Sequence, residues 1–182
     1  MDNKNLIDSQ IKTRYKTVLL GDSKVGKTSI KRSYLGFDFI DNYEMTIGME
    51  ISTKSLERNI LQIWDLAGQR GFNKIFEDHF KHTQAVVIVF DITNPKSFEN
   101  IDKWIEMITI KKNELLPTVI VGNKSDLRGR TDEEVSYKSA MDYANYLSNN
   151  SIYEIPYIEA SALTGLNIAY IFEHLIYTLN EI

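Results

Sequence analysis

Between an apolar segment, residues 17–20, and the opening of a helical pattern lies the octapeptide Gly21-Asp22-Ser23-Lys24-Val25-Gly26-Lys27-Thr28. It satisfies Gly-x-x-x-x-Gly-Lys-Thr, and in that position the pattern dictates a strand, a tight loop and a helix in direct succession. Backbone N–H groups of Asp22, Ser23, Lys24, Val25, Gly26, Lys27, Thr28 and Ser29, together with the positive end of the helix, then form a cradle for phosphate oxygens. Gly21 and Gly26 are expected because a side chain there would keep the backbone from turning or from approaching those oxygens. Lys27 is placed to reach the β- and γ-phosphates, and the Thr28 hydroxyl to bind Mg²⁺. The plain alternative is a glycine-containing turn with a surface lysine, and such an accidental match rarely falls between a strand and a helix.

Three shorter motifs follow in order: Asp65-Leu66-Ala67-Gly68-Gln69, Asn123-Lys124-Ser125-Asp126 and Ser161-Ala162. The second follows an apolar run, residues 118–122, and so lies at the carboxyl end of a strand, the edge where open α/β sheets bind ligands. The third follows a strand predicted over residues 157–160. Alone, the second could be an ordinary polar turn, and the third carries almost no weight. In this order and at these spacings they can converge on a single nucleotide.

The four motifs together resemble the Ras superfamily of small GTPases, from about Tyr15 to the end of the chain. Rab-like members are the nearest, through Thr46-Ile47-Gly48, Gln62-Ile63-Trp64-Asp65, Asp91-Ile92-Thr93 and Ser97-Phe98-Glu99-Asn100. The resemblance implies one α/β P-loop GTPase domain over residues 14–182, preceded by a flexible arm over residues 1–13. Its sheet would be six-stranded and mostly parallel, with one antiparallel edge strand and helices on both faces. It also implies that Asp126 accepts from two donors on the guanine edge, that Asn123 braces the loop, and that the Lys124 stem lies over the ring. Adenine would leave Asp126 facing an acceptor, and unpaired polar groups of that kind discriminate by roughly 10⁴ or more. A backbone amide of the Ser161-Ala162 pair would meet the guanine carbonyl, and Phe39 matches the aromatic that packs against the base. Leu163 stands where the family usually has a lysine, so only apolar packing is expected there.

The same resemblance implies a GTP/GDP switch. Thr46 would coordinate Mg²⁺ and contact the γ-phosphate, Asp65 would hold Mg²⁺ through water beside Thr28, and Gly68 would offer its N–H to the γ-phosphate. Tyr43 would cover the phosphates, and Gln69 would orient the attacking water. Gln69, Lys27, Thr46 and Gly68 are thus the candidate catalytic residues. Losing the γ-phosphate would release two loops, an order-to-disorder change. Slow intrinsic turnover is expected, with an arginine supplied in trans adding about 10³ to 10⁵ in rate. An exchange factor, an activating protein and effectors are the implied partners, in trafficking or signalling. Arg70, next to Gln69, is read as a solvated surface residue, and Trp64 resembles an aromatic that Rab proteins present to effectors, though it serves equally as a half-buried strand residue. The alternative is a nucleotide-dependent scaffold with negligible hydrolysis; a P-loop kinase or ATPase is disfavoured by Asn-Lys-Ser-Asp and by the lack of a lid-like insertion.

A length of 182 residues suits a single domain with a substantial core. The net charge of −4 argues against nucleic acid as a main partner. Without cysteine there is no disulfide, thiol catalysis or Cys-based zinc site. The longest wholly apolar run, residues 85–90, is six residues and too short to span a membrane. A monomeric, cytoplasmic protein is expected. Asp2 rules out an N-terminal myristoyl glycine, so peripheral membrane contact would need a lipidated or basic tail that these 182 residues do not contain.

Residues 17–20, 85–91 and 118–123 read as buried parallel strands. Alternation of Ile47, Met49 and Ile51 with Gly48, Glu50 and Ser52 reads as a half-exposed strand that turns near Glu57-Arg58-Asn59 into a partner over residues 60–65. Phe98, Ile101, Trp104, Ile105 and Ile108 are predicted to form one helix face, and Ile168, Phe172, Leu175, Ile176 and Leu179 another. Thr131-Asp132-Glu133-Glu134 reads as a capping box opening a helix. The histidines His79, His82 and His174 show no metal-ligand spacing.

Overall fold

The computed structural model describes residues 12–40, 48–66, 80–112 and 115–182. Its elements follow in chain order: β1 (Thr13–Leu20), α1 (Lys27–Leu35), β2 (Met49–Ser55), β3 (Asn59–Leu66), β4 (Ala85–Asp91), α2 (Pro95–Glu99), α3 (Ile101–Lys112), β5 (Thr118–Asn123), a 3₁₀ turn (Ser125–Leu127), α4 (Tyr137–Asn149), β6 (Tyr157–Glu159) and α5 (Ile168–Glu181). They build the expected six-stranded sheet, in the order β2-β3-β1-β4-β5-β6. Only the β2–β3 pair is antiparallel, and it occupies one edge. Parallel neighbours need crossover connections, which place helices on both faces, and β4 and β5 are buried along their whole length.

The pleat of β4 divides the core in two. Ala85, Val87 and Val89 face one side, with Ile30 and Tyr34 of α1 and Ile171, Phe172 and Leu175 of α5. Val86, Ile88 and Phe90 face the other, with Ile101, Trp104 and Ile108 of α3 and Ala140, Ala144 and Leu147 of α4. The Tyr34 and Phe172 rings stack with centroids 4.0 Å apart. The predicted stripe of α5 is buried at Ile168, Phe172, Leu175 and Leu179, with Ile176 partly buried.

Three expectations change. β1 begins four residues before its apolar segment, at Thr13, which pairs with Asn59. The added polar positions find local partners: the Tyr15 hydroxyl donates to Asn180 Oδ1 at 2.8 Å, and Lys16 Nζ donates to the Lys81 carbonyl at 2.9 Å. The Lys16 ammonium also lies 3.5 Å from the centre of the Trp64 ring, so the half-buried Trp64 packs within this edge of the sheet. Secondly, Phe98 and Ile101 belong to different helices, because the chain turns at Asn100, whose N–H donates to Lys96 O at 3.1 Å. Phe98 still packs against the same core face as Ile101, Trp104 and Ile108, its ring centred 5.0 Å from that of Phe90.

The third concerns Thr131 to Glu134, where no helix begins. The Glu134 carboxylate accepts the backbone N–H groups of Gly129 and Arg130 at 3.0 Å and of Thr131 at 3.2 Å. The Gly129 N–H in particular, with Thr131 and Arg130, holds this carboxyl down to about 2. Val135 is buried and gives its N–H to the Ile92 carbonyl at 2.9 Å, which keeps the following link extended. α4 then starts at Tyr137, where the Ser136 hydroxyl accepts from Ser139 N at 3.0 Å as its cap.

Among the described residues no helix is long and apolar enough to cross a membrane. Among them, too, no group of three or more His, Cys, Asp or Glu could hold a metal ion. His82 is exposed and His174 half-buried, while His79 lies outside the described residues.

Candidate nucleotide site

The loops that follow β1, β5 and β6 all leave the carboxyl edge of the parallel sheet, where the strand order reverses around β1. That edge is the ligand crevice of an open α/β fold. Gly21 has φ 135°, and a Cβ there would strike the carbonyl oxygen of Val89 on β4. Gly26, φ 98°, caps α1, and its Cβ would strike the amide of Asn123. Both glycines are thus required by packing of the loop against the sheet and against the base-side motif, as well as by the turn itself. Lys24 holds the same left-handed region with a full side chain, at φ 68°. Such a backbone costs an ordinary residue about 1–2 kcal/mol, and strain of this kind concentrates at functional loops.

Lys27 folds back over this loop, donating to the carbonyls of Gly21 at 2.8 Å and Asp22 at 2.7 Å. Burial lowers its ammonium to about 8, against the opposing pull of Asp65 and Asp22. An ammonium so placed gains from any anion that enters the loop. The Asp22 carboxylate takes no part in the cradle: it accepts Asn100 Nδ2 at 2.6 Å and Trp104 Nε1 at 3.3 Å, tying the loop to the α2–α3 junction. What Asp22 offers a phosphate is its backbone. Val25 is buried, Ser23 and Ser29 half-buried, and Lys24 exposed.

On the base side, Asn123 is buried and joins three loops. Its Nδ2 donates to the Val25 carbonyl at 2.8 Å, and its Oδ1 accepts the Ala162 N–H at 3.1 Å. Ser161 Oγ donates to Asp126 Oδ1 at 2.5 Å, which orients that carboxylate. The Ser125 N–H adds a bond to the Ala160 carbonyl at 3.0 Å. Lys124 takes a left-handed backbone, φ 67°, and its ammonium pairs with Asp91 Oδ2 at 2.5 Å, so the head of the side chain is anchored. Asp91 is steadied in turn by Thr93, whose N–H and hydroxyl donate to Oδ1 at 2.9 and 2.7 Å. Phe39 and Leu163, the two apolar candidates for flanking the base, are both exposed.

The candidate metal site joins α1 to β3. Thr28 Oγ1 donates to Asp65 Oδ2 at 2.6 Å, and the other carboxylate oxygen, Oδ1, is buried and has no hydrogen bond among the described residues. A buried carboxylate oxygen without a donor is costly unless something else meets it. A hydroxyl beside a carboxylate with an unmet oxygen is the donor chemistry a hard cation takes, so these residues fit Mg²⁺. Tyr43, Thr46, Gly68, Gln69 and Arg70 lie outside the described residues.

The sequence motifs alone do not disclose Asn100 and Trp104 behind Asp22, Asp91 behind Lys124, or Lys31 beside Asp65. Lys31 Nζ lies 3.5 Å from Asp65 Oδ2. Its position on α1, three residues after Thr28 and four after Lys27, was the available signal, since helical neighbours at that spacing share a face.

A phosphate cradle with a braced base pocket on the adjoining strand ends defines a P-loop nucleotide-binding protein. The Ras family model matches residues 16–181, and the chain belongs to that family. It is 36% identical over 173 residues to the Ras-related protein Rab7 of Pisum sativum, which covers 91% of this chain and 82% of that protein. The Ypt/Rab-type GTPase avaA of Emericella nidulans is 35% identical over 175 residues, with coverage of 92% and 82%. The Ras and EF-hand domain-containing protein of Xenopus tropicalis is 37% identical over 165 residues, 88% of this chain but 23% of that longer protein. The protein is therefore a Rab-like small GTPase, a switch that binds GTP and GDP with Mg²⁺ and hydrolyses GTP, working with exchange factors, activating proteins and effectors.

Proposed function

We propose that the switch serves vesicle traffic, and that its nucleotide is held by the loop from Asp22 to Ser29 and by Asn123, Lys124, Asp126, Ser161 and Ala162. The observation that carries the site assignment is the Asn123 side chain, which hydrogen-bonds both to the phosphate loop and to the Ala162 amide, making one cradle of three separate segments. In this reading Asp126, held by Ser161, accepts from guanine, while the exposed Phe39 and Leu163 offer apolar surface to its ring. Lys27 exchanges the loop carbonyls for phosphate oxygens. Thr28, Thr46 and, through water, Asp65 would hold Mg²⁺, which would neutralise charge on the phosphates. Gln69 positions the attacking water, Gly68 and Thr46 sense the γ-phosphate, and Tyr43 closes over it. Residues 14–182 carry this activity, and effectors read the segments around Thr46 and Gly68. Membrane residence, in this reading, depends on a lipidated or basic tail.

The test is single-turnover hydrolysis of GTP with Mg²⁺ by the purified chain and by Gln69→Leu and Asp126→Asn, after the co-purifying nucleotide is identified. Slow hydrolysis lost in Gln69→Leu, with guanine preference lost in Asp126→Asn, is the expected result. Tight binding without turnover, even with added activating protein, would instead make the chain a nucleotide-dependent scaffold.

A further inference from the structure

Among the described residues Lys31 is the largest of the fully buried side chains, and it ends in an amine. Its ammonium lies 2.7 Å from Glu50 Oε2 on β2 and 3.5 Å from Asp65 Oδ2 on β3, the oxygen that also accepts the Thr28 hydroxyl. It meets the carboxylates as a charge, without hydrogen-bond angles to either. The sheet register explains the arrangement. Glu50 and Asp65 stand directly opposite one another in the antiparallel β2–β3 ladder, so their side chains emerge on the same face. Like charges opposed across strands repel, and a buried carboxylate such as Asp65 requires a compensating charge. Lys31 supplies it to both.

We propose that Lys31 is a positioning residue that competes with Mg²⁺ for Asp65 and so sets how tightly the nucleotide-bound protein holds the metal. The inference rests on the reading of Asp65 as the carboxylate that holds Mg²⁺ through water. Without metal, the Lys31 ammonium neutralises Asp65 and holds its carboxylate in place. When the dication arrives, the two positive charges share one buried carboxylate, and repulsion across low-dielectric surroundings opposes binding. Glu50 moderates this. Its side chain is 59% exposed and draws the ammonium toward the solvent edge of the hairpin. The two partners of Lys31 therefore have opposite effects on the metal: removing the ammonium tightens Mg²⁺, whereas removing the Glu50 charge leaves the ammonium wholly on Asp65 and weakens it. The same pair couples the metal site to β2, so movement of the hairpin changes Mg²⁺ affinity.

The experiment measures release of a fluorescent GDP analogue from the full chain across free Mg²⁺ concentrations, and reads the concentration that gives half-maximal retention. Lys31→Met is expected to lower it about tenfold and Glu50→Gln to raise it about threefold, the scale of a partly screened charge at close range. Thermal unfolding of the GDP-loaded protein in EDTA gives a second readout. There Lys31→Met unfolds at lower temperature than wild type, and saturating Mg²⁺ removes most of the deficit. A merely structural role for Lys31 would move both variants toward weaker retention, and that result, or no shift in either, overturns the proposal. If Lys31→Met does not fold, Lys31→Gln takes its place: it too is expected to lower the half-maximal Mg²⁺ concentration, and a rise overturns the proposal. If retention by wild type ignores Mg²⁺ and Asp65→Asn changes nothing, it is the metal reading that fails. A Mg²⁺ dependence in wild type without opposed shifts rejects the Lys31 inference alone.

Discussion

Truncating Asn123 to alanine removes a side chain that bridges the phosphate loop and the loop after β6. The residue is 2% exposed, so the two groups it satisfies, the Val25 carbonyl and the Ala162 N–H, lose their partners in a buried setting. Each buried polar group left unsatisfied costs about 1–3 kcal/mol, which gives roughly 2–6 kcal/mol for the pair, the lower end applying if water enters the vacated space. That is a large share of a domain stability of about 5–15 kcal/mol. Because the bridged loops are those assigned to the nucleotide, the loss also falls on binding, where every 1.4 kcal/mol is about tenfold. Asn123→Ala is therefore expected to speed GDP release at least tenfold and to lower the urea midpoint with little change in slope. Asn123→Asp separates hydrogen bonding from size, since it keeps the acceptor for Ala162 but sets a carboxylate against the Val25 carbonyl in place of the donor. It should be at least as damaging as alanine. An aspartate variant within about 0.5 kcal/mol of wild type, the scatter of ordinary surface changes, would refute the bridging argument.

Gly26→Ala must accommodate a Cβ against Asn123 Nδ2 at φ 98°, whereas Gly36→Ala at φ 85° meets nothing nearby. The first is expected to lose at least 2 kcal/mol more than the second, which costs about 1–2 kcal/mol for its backbone alone; equal losses in urea titrations would show that the contact is unimportant. Phe172→Ala removes a fully buried ring stacked on Tyr34 and should cost about 3–5 kcal/mol, read from the same titrations. The Glu134 carboxyl is depressed in the folded protein to about 2, so its contribution is fully present above the unfolded value near 4.5 and disappears as pH falls through 2. The gap in melting temperature between wild type and Glu134→Gln should accordingly stay constant above pH 5 and close between pH 4.5 and 2. A gap that persists undiminished to pH 2 would mean that the three backbone N–H groups do not depress this carboxyl.

Much of the site was legible because its requirements are local. A tight strand-to-helix turn needs glycine at fixed places, and a lysine and a threonine at the helix start point into the turn whatever surrounds them. The base-side motifs could be placed for a similar reason, since an apolar strand followed by a short polar sequence puts that sequence at the sheet edge. Local pattern also misled. Thr131 to Glu134 has the spacing of a capping box, and Glu134 does accept the Thr131 N–H as a capping box demands. The turn at Gly129, φ 76°, supplies two further donors from upstream, so the carboxylate closes that turn and the helix waits for Ser136. Likewise the apolar period from Phe98 to Ile108 passes unbroken through Asn100, because a bend that preserves which side faces the sheet leaves no trace in the period.

Partnerships between charges were illegible for a different reason. Asp22 finds Asn100 and Trp104 across 78 and 82 residues, and Lys31 finds Asp65 and Glu50 only once the hairpin register is set. Read in sequence, Glu50 is a polar residue on an alternating strand and Lys31 a polar residue on a helix, each with an ordinary place on the surface. The register that sets Glu50 opposite Asp65 also turns both toward α1, and a slip of one residue would put Glu50 on the other face of the sheet, away from Lys31. The buried ammonium and the two facing carboxylates are therefore interdependent: Lys31 is tolerable in the interior only in this register, and the register is electrostatically tolerable only with Lys31. A metal site assembled in this way ties its affinity to the position of β2, one strand of the hairpin leading into Asp65, through a single side chain.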